Sequence, residues 1–301
     1  MIPLFDLHCD TLYEIYKRKE NIKDNSLQIS LKKAQNFSKY LQIGAIWSDY
    51  KLSNDEAYEN CLRTIKYAKS QEIYLLDMVD IHSKGGFILA VEDARLLNGH
   101  IERLLELYSI GVKVLTLNWR DDGCIGGGWN TNSPLTDFGK NVVLKCCEIG
   151  MTIDLSHSSE EVFWDALKIC EIQGKSPIAS HSNAYTIQNH KRNLNDEQIK
   201  AICNNNGLIG ICLATEHLGE NADIDTVIKH IDHFLKLGCS DCLSLGCDFD
   251  GVTSLPYGIN SIEDLNVLFY RIEEKFGNKI AKKIFFENAF SYFKKNLRKE
   301  L

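Results

Sequence analysis

The sequence is poor in proline and contains no long apolar run. Only four of its 301 residues are proline, and they are spread widely, so no proline-rich linker divides the chain. No run approaches the roughly 20 apolar residues that a membrane-spanning helix needs. The first residues, Met1 to Asp10, lack the basic segment of a secretory signal. We therefore expect no membrane partner and a cytoplasmic location.

Basic residues are neither abundant nor clustered. The formal net charge is −7, and the lysines are scattered along the whole chain. Proteins that bind nucleic acids usually concentrate Lys and Arg on one face, because contacts to phosphates supply much of their affinity. We therefore expect no nucleic-acid partner.

The eleven cysteines do not form a recognisable zinc-binding pattern. Cys239 and Cys242 have the CxxC spacing, but neither a second CxxC nor a close histidine pair completes a structural zinc site. In the reducing compartment that the missing signal indicates, cysteines are usually free thiols and are often buried as small apolar residues. We therefore expect free thiols here.

What the sequence does contain is an alternation of short apolar runs and longer amphipathic stretches. Several amphipathic stretches end in a glycine just before the next run, as helices commonly do; Gly111, Gly150 and Gly238 are examples. The runs are nearly continuous in apolar residues, which is typical of strands covered on both faces. The candidate strands are Pro3–His8, Leu41–Trp47, Gly86–Glu92, Val112–Asn118, Met151–His157, Ser176–Ser182, Gly207–Leu213 and Cys242–Phe249.

Eight alternating strand and helix units predict an α/β fold. Alternation favours a parallel sheet, and eight units favour a single (β/α)₈ barrel of the TIM type with the architecture of a metal-dependent hydrolase, spanning residues 1–301. The region Asp55–Asp80 is less regular, and within it Ile73–Asp77 is an alternative strand that could add to the eight or replace one of them.

Five of the candidate strands close on a histidine or a carboxylate. Active sites of such barrels assemble at the carboxyl ends of the strands, so these side chains should converge. His8 and Asp10 are two residues apart, and in a strand they would point to the same side. Three imidazoles and three carboxylates suit two divalent cations such as zinc. The candidate metal ligands are His8, Asp10, Glu92, His157, His181 and Asp248.

The motifs around these residues resemble, in order and spacing, the signatures of the membrane (renal) dipeptidases, zinc metallopeptidases of the amidohydrolase barrel group. The resemblance implies two zinc ions per chain: His8, Asp10 and Asp248 would hold one, His157 and His181 the other, and Glu92 would bridge them. It also implies a homodimer. The matching segments are Phe5–Asp10, Ala90–Glu92, Leu135–Gly139, Ile153–His157, Ser180–Ala184, Arg192–Asn193 and Gly246–Gly251.

The resemblance further implies hydrolysis of small dipeptides that have a free C-terminal carboxylate. Two zinc ions would lower the pKa of a shared water, so that a metal-bridging hydroxide is the nucleophile. Asp248 would be the catalytic base that passes the water's proton to the leaving amine. Arg192 would bind the substrate carboxylate through two hydrogen bonds. Spacing alone favours a plainer interpretation of Arg192, an ordinary surface cation in the polar run His190–Asn193.

Trp119 departs from the family pattern. It stands where the renal members have a histidine that supports the tetrahedral intermediate, and an indole N–H donates one hydrogen bond but cannot become charged. We regard Trp119 as a candidate substrate-binding residue. It also keeps open a second hypothesis, a related zinc amidohydrolase that acts on another small amide, an N-acyl amino acid or a lactone. A third hypothesis, a non-catalytic metal-binding protein, is disfavoured because all six candidate ligands are present.

Overall fold

The computed structural model describes residues 1–71, 73–79 and 85–297. Eight parallel strands in this part of the chain form a closed barrel, and each strand is hydrogen-bonded to its neighbours in sequence order. The predicted (β/α)₈ fold is therefore confirmed. The strands are β1 Pro3–Cys9, β2 Lys39–Ile46, β3 Gly86–Glu92, β4 Val112–Thr116, β5 Thr152–Asp154, β6 Ile178–Ala179, β7 Leu208–Ile211 and β8 Leu243–Leu245.

Helices occupy the connections between the strands. Short 3₁₀ segments at Ala94–Leu97 and Ile262–Asp264 and a π-helical turn at Lys283–Glu287 accompany them. Of the described helices, none is long and apolar enough to cross a membrane. The helices are α1 Thr11–Arg18, α2 Leu31–Ala34, α3 Asn54–Ser70, α4 Ile101–Ser109, α5 Asp137–Ile149, α6 Glu160–Ile172, α7 Asp196–Asn204, α8 Thr215–Leu218, α9 Ile224–Lys236, α10 Leu265–Phe276, α11 Asn278–Lys282 and α12 Asn288–Asn296.

Local capping sets where several of these helices begin. Ser53 and Glu56 form a reciprocal capping box at the start of α3, and Asn195 with Gln198 does the same at the start of α7. Such caps satisfy backbone N–H groups that have no partner inside the helix. The cap at Asn195 fixes the end of the loop between β6 and α7, which contributes to the site described below.

The lower part of the barrel is filled by apolar side chains and closed by α12. Phe293 of α12 packs against Phe5 of β1, with ring centroids 5.3 Å apart. Leu41, Ile43 and Ile88 are fully buried in the same cluster. Because this end is packed solid, the polar residues can collect only at the opposite mouth.

Some strand boundaries differ from those predicted. The strands β5, β6 and β8 stop earlier than their apolar runs, because the chain turns into mouth loops that remain buried. Ile73–Asp77 is not a barrel strand; only Leu75 forms a bridge, to Phe87 of β3. Asp80, at the end of that irregular region, and residues 298–301 of the predicted barrel lie outside the described residues.

The prediction that all cysteines are free is wrong for one pair. Cys203, in the last turn of α7, forms a disulfide with Cys242, the residue before β8. Their Cα atoms are 5.7 Å apart because β7, which follows α7, pairs with β8. The two residues are 39 positions apart, so no local spacing could indicate the pairing. The buried Cys239 lies beside the pair and is free.

Candidate metal centre and active site

Six polar side chains meet at the mouth formed by the carboxyl ends of the strands. Two belong to the ends of β1 and β3, and the other four follow β1, β5, β6 and β8 within three residues. Their ligand atoms form three overlapping groups, each with all atoms within 4.8 Å of one another. The groups are His8 with Asp10 and Glu92, Glu92 with His157 and His181, and His8 with His181 and Asp248.

Glu92 lies at the centre of this cluster. Its Oε1 is 2.9 Å from His157 Nε2 and 3.7 Å from His181 Nε2, while its Oε2 is 3.5 Å from His8 Nε2. The Nε2 atoms of His157 and His181 are 2.8 Å apart. The two carboxylate oxygens of Glu92 therefore face two different sets of imidazoles.

Asp10 and Asp248 approach His8 from the other side. The Nε2 atom of His8 is 3.8 Å from Asp10 Oδ2 and 3.9 Å from Asp248 Oδ1. The sequence placed Asp10 in the strand together with His8. In the structure Asp10 lies outside β1 and immediately precedes α1, with φ −96° and ψ 9°. Asp248 and His157 have left-handed backbones, with φ 61° and 67°. Non-glycine residues rarely adopt this conformation, and it is concentrated at functional sites.

The electrostatics of the cluster favour a bound cation. Burial disfavours a protonated His8, but the surrounding carboxylates of Glu92, Asp248 and Asp10 raise the pKa of His8 to about 10. Burial also disfavours the charged form of Glu92, yet His8 and a hydrogen bond from His157 hold the pKa of the Glu92 carboxyl far below its usual range. Positive charge is therefore stabilised between these carboxylates.

The remaining ligand candidates are tuned mainly by burial. Burial and the charge of Glu92 raise the pKa of Asp248 to about 7 and raise the pKa of Asp10 as well. Burial lowers the pKa of His157 to about 4, and burial together with His8 lowers the pKa of His181. Both imidazoles are thus neutral near pH 7, which is the form that coordinates a metal.

The donor set fits divalent metal ions of the zinc type. Among the described residues, none donates or accepts a hydrogen bond at the buried atoms His8 Nε2 and Asp10 Oδ1. Buried polar atoms without partners are costly, and buried carboxylates in such proximity repel one another. Imidazole nitrogens and carboxylate oxygens are the ligands that zinc prefers in catalytic sites.

A network behind the cluster orients His181. Asp154 Oδ2 accepts a hydrogen bond from Ser180 Oγ at 2.6 Å, and Ser180 Oγ lies 2.7 Å from His181 Nδ1. Because the serine proton goes to the carboxylate, the serine oxygen accepts from His181 Nδ1–H, which leaves Nε2 free to coordinate. The sequence motifs contained Asp154 and Ser180, but their role depends on contacts between strands that sequence spacing does not reveal.

Gly251 keeps space open between two of the carboxylates. A Cβ added at this position would collide with Asp10 Oδ2 and Asp248 Oδ1. We expect Gly251→Ala to displace both carboxylates and to weaken metal binding by at least about 10-fold, the lower end of what disturbing a ligand's support costs. Zinc titration monitored by calorimetry would measure this. Gly123→Ala is the matched control, because its Cβ would meet nothing closer than 3.8 Å; equal zinc affinity in both variants would contradict the expectation.

Arg192 is not an ordinary surface cation. It is only 4% exposed and lies in the loop between β6 and α7. Its Nη1 donates to Ser182 Oγ at 3.0 Å, and its Nη2 donates to the carbonyl oxygen of His181 at 2.8 Å. The buried Nε atom has no hydrogen-bond partner within the described ranges. The guanidinium is thus held in place with donor capacity left over.

Trp119 lines the cavity above the metal-ligand candidates. This cavity has a volume of about 260 Å³, and its lining includes Glu92, His157, Asp248 and Arg192. The ring of Trp119 lies 6.3 Å from that of His157, centroid to centroid. The two substrate-binding candidates therefore share one cavity with the ligand cluster.

A closed parallel barrel with buried histidines and carboxylates at its carboxyl-end mouth defines a metal-dependent hydrolase. The chain belongs to the membrane dipeptidase family, peptidase family M19, whose sequence model matches residues 1–300. This family is one of metallodipeptidases.

Similar proteins agree with this family and fold. Over 206 residues, 64% of the chain, it is 29% identical to an uncharacterized dipeptidase of Schizosaccharomyces pombe and spans 48% of that relative's length. A dipeptidase AC of family M19 matches with a TM-score of 0.89 and 22% identity over 98% of this chain and 99% of that chain. A metallopeptidase of Rhodobacter sphaeroides, solved with a phosphinate mimic of the dipeptide L-Ala-D-Ala, matches with a TM-score of 0.87 and 21% identity over 98% and 99%.

Proposed function

We propose that this protein is a binuclear zinc dipeptidase that hydrolyses dipeptides with a free C-terminal carboxylate. The observation that carries the proposal is the buried guanidinium of Arg192, which has an unpartnered Nε and lines the same cavity as the ligand cluster. A buried cation with spare donors suits a carboxylate that arrives with the substrate. The Rhodobacter protein, which binds a mimic of a dipeptide, supports the same substrate class.

The six clustered residues would hold the metals. His8, Asp10 and Asp248 would bind one zinc ion, His157 and His181 the other, and Glu92 would contact both through its separate oxygens. When bound, a zinc pair supplies Lewis-acid polarisation of the peptide carbonyl and lowers the pKa of a water molecule to near neutrality.

Asp248 would move the proton in this reaction. Its carboxylate faces the cavity and is 13% exposed, so it can reach a water molecule at the cluster. In the proposed reaction one Asp248 oxygen takes the proton from the attacking water and gives it to the nitrogen of the leaving amine. Asp248 Oδ1 lies 3.9 Å from His8 Nε2, beside the proposed metal ligands.

Arg192 would orient the substrate. The contacts to Ser182 and to the His181 carbonyl fix the guanidinium plane next to a metal-ligand candidate. A substrate carboxylate held there would place the adjacent peptide bond over the cluster, which lowers the entropic cost of reaction.

A substrate panel tests the proposed function. Zinc-loaded protein should hydrolyse free dipeptides, and C-terminal amidation of the same dipeptides should lower kcat/KM by roughly 30- to 150-fold, the scale of one charged hydrogen-bonded contact. N-acetyl amino acids and lactones are included as competing substrate classes. Faster hydrolysis of either class than of any free dipeptide would favour the related amidohydrolase instead.

A further inference from the structure

The cavity above the ligand cluster has an aromatic side. Tyr13, Trp47 and Trp119 line it, and Tyr50 extends it outward. The rings of Trp47 and Trp119 are 5.4 Å apart, Tyr13 meets Trp47 edge-on at 5.7 Å, and Tyr50 stacks on Trp119 at 6.1 Å with an angle of 14° between the planes. We call these four residues the aromatic wall.

Two features indicate that the aromatic wall is a ligand-binding surface. Tyr50 is 63% exposed, so part of the stack faces open space instead of the core. The Nε1 atom of Trp47 is buried, and nothing in the described part of the chain accepts a hydrogen bond from it. Exposed stacked aromatics suit the apolar portion of a ligand, and an unused indole donor suits a polar acceptor beside that portion.

The topology places this wall opposite Arg192. Trp47 directly follows β2, and Arg192 lies in the loop after β6. In a closed barrel of eight strands in sequence order, β2 and β6 are four strands apart and face each other across the mouth. The ligand cluster lies between them.

We propose that the aromatic wall binds an apolar or aromatic side chain on the N-terminal residue of the dipeptide. This inference rests on the proposed function, because it requires a substrate carboxylate at Arg192 and a scissile bond over the cluster. The residue on the far side of that bond then lies one residue's length, about 3.5 Å, closer to β2. Its side chain meets the rings of Trp47 and Trp119.

The cavity on the side away from the aromatic wall is lined mainly by polar residues. A second cavity of about 390 Å³ meets the first at Trp129, His157 and Arg192, and most of its lining is polar, including Ser182, Asn195 and Gln198. The C-terminal residue of the substrate would face this larger polar space. We therefore expect the protein to select for apolar side chains at the N-terminal residue of the dipeptide and not at its C-terminal residue.

Two dipeptide series test the inference, X-Ala and Ala-X with X as Gly, Leu or Phe, with L- and D-configured second residues wherever that residue is chiral. We expect kcat/KM to rise about 10- to 100-fold from Gly-Ala to Phe-Ala, because burial of an aromatic side chain is worth that much. The Ala-X series should vary less. Trp119→Ala should reduce the Phe-Ala to Gly-Ala ratio about 10-fold, and Tyr50→Ala, at an exposed position, should reduce it several-fold.

Controls separate packing from other roles. Trp119→Phe keeps an apolar ring and should retain most of the ratio. Tyr270→Ala removes an exposed aromatic from α10 and should leave the ratio unchanged. The inference would be overturned if kcat/KM did not vary across the X-Ala series, or if it varied only across the Ala-X series. It would also be overturned if Trp119→Phe lowered kcat equally for all substrates, because that result would assign Trp119 to hydrogen bonding through its N–H. No hydrolysis of any free dipeptide would instead overturn the proposed function, and the inference with it.

Discussion

The Glu92→Gln variant is expected to lose both zinc ions together and, with them, nearly all activity. Oε1 of Glu92 faces His157 and His181, whereas Oε2 faces His8, so the neutral amide removes a charged ligand from both groups at once. An amide NH₂ also presents donors where a metal needs lone pairs. We expect zinc affinity at both sites to fall by more than the roughly 10–100-fold that loss of an outer-shell partner costs. Metal content after dialysis, measured by mass spectrometry, checks this.

Two further variants define what the result means. Asp10 belongs to only one of the three ligand groups, the one with His8 and Glu92. Asp10→Asn should therefore weaken one zinc site more than the other. Glu148→Gln is the same chemical change at an exposed position of α5 and should retain two zinc ions. Two tightly held metals in Glu92→Gln would show that Glu92 does not bridge. Thermal melts of each variant separate metal loss from unfolding.

The barrel was predictable because its strands are buried on both faces. That burial produces continuous apolar runs, and the glycines that end the helices mark the unit boundaries. The strand ends were less predictable. His157 and Asp248 continue buried runs in sequence, but β5 and β8 end three residues before them, at Asp154 and Leu245. The apolar composition of a segment indicates that the segment is buried. It does not indicate whether its backbone is hydrogen-bonded to a neighbouring strand.

The convergence of the ligand candidates was predictable, but their geometry was not. The ends of parallel strands in a closed barrel converge, which is why ligand candidates on five strands come within 4.8 Å in overlapping groups. Asp10 reaches His8 from the start of a helix and not from a strand. Arg192 lies in a polar run that resembles surface, yet contacts with Ser182 and His181 bury it. Such contacts between distant segments leave no local pattern.

Other features depend on long-range or external factors. The Cys203–Cys242 disulfide joins segments that only the folded barrel brings together. Four features stay predictions: zinc as the metal, two ions per chain, a homodimer and a cytoplasmic location. They depend on partners and surroundings that residue spacing does not encode.

Changing Arg192 to Ala is expected to lower kcat/KM for free dipeptides by about 2–3 kcal/mol of transition-state stabilisation, roughly 30- to 150-fold. The same change should barely affect amidated dipeptides, which bring no carboxylate to the site. Arg192→Lys should restore activity only in part, because an ammonium cannot make the two parallel hydrogen bonds of a guanidinium. Steady-state kinetics on both substrate types measure each difference.

The contacts of Arg192 within the protein make the comparison of substrates essential. Its Nη2 holds the carbonyl of His181, so removal of the guanidinium could also disturb a metal-ligand candidate. Such a disturbance would slow free and amidated dipeptides equally, whereas loss of carboxylate binding slows only the free ones. Equal losses, with zinc content unchanged, would remove the main reason for assigning dipeptides as the substrates. The barrel and its ligand cluster would then favour the hydrolysis of a small amide or lactone that has no carboxylate to bind.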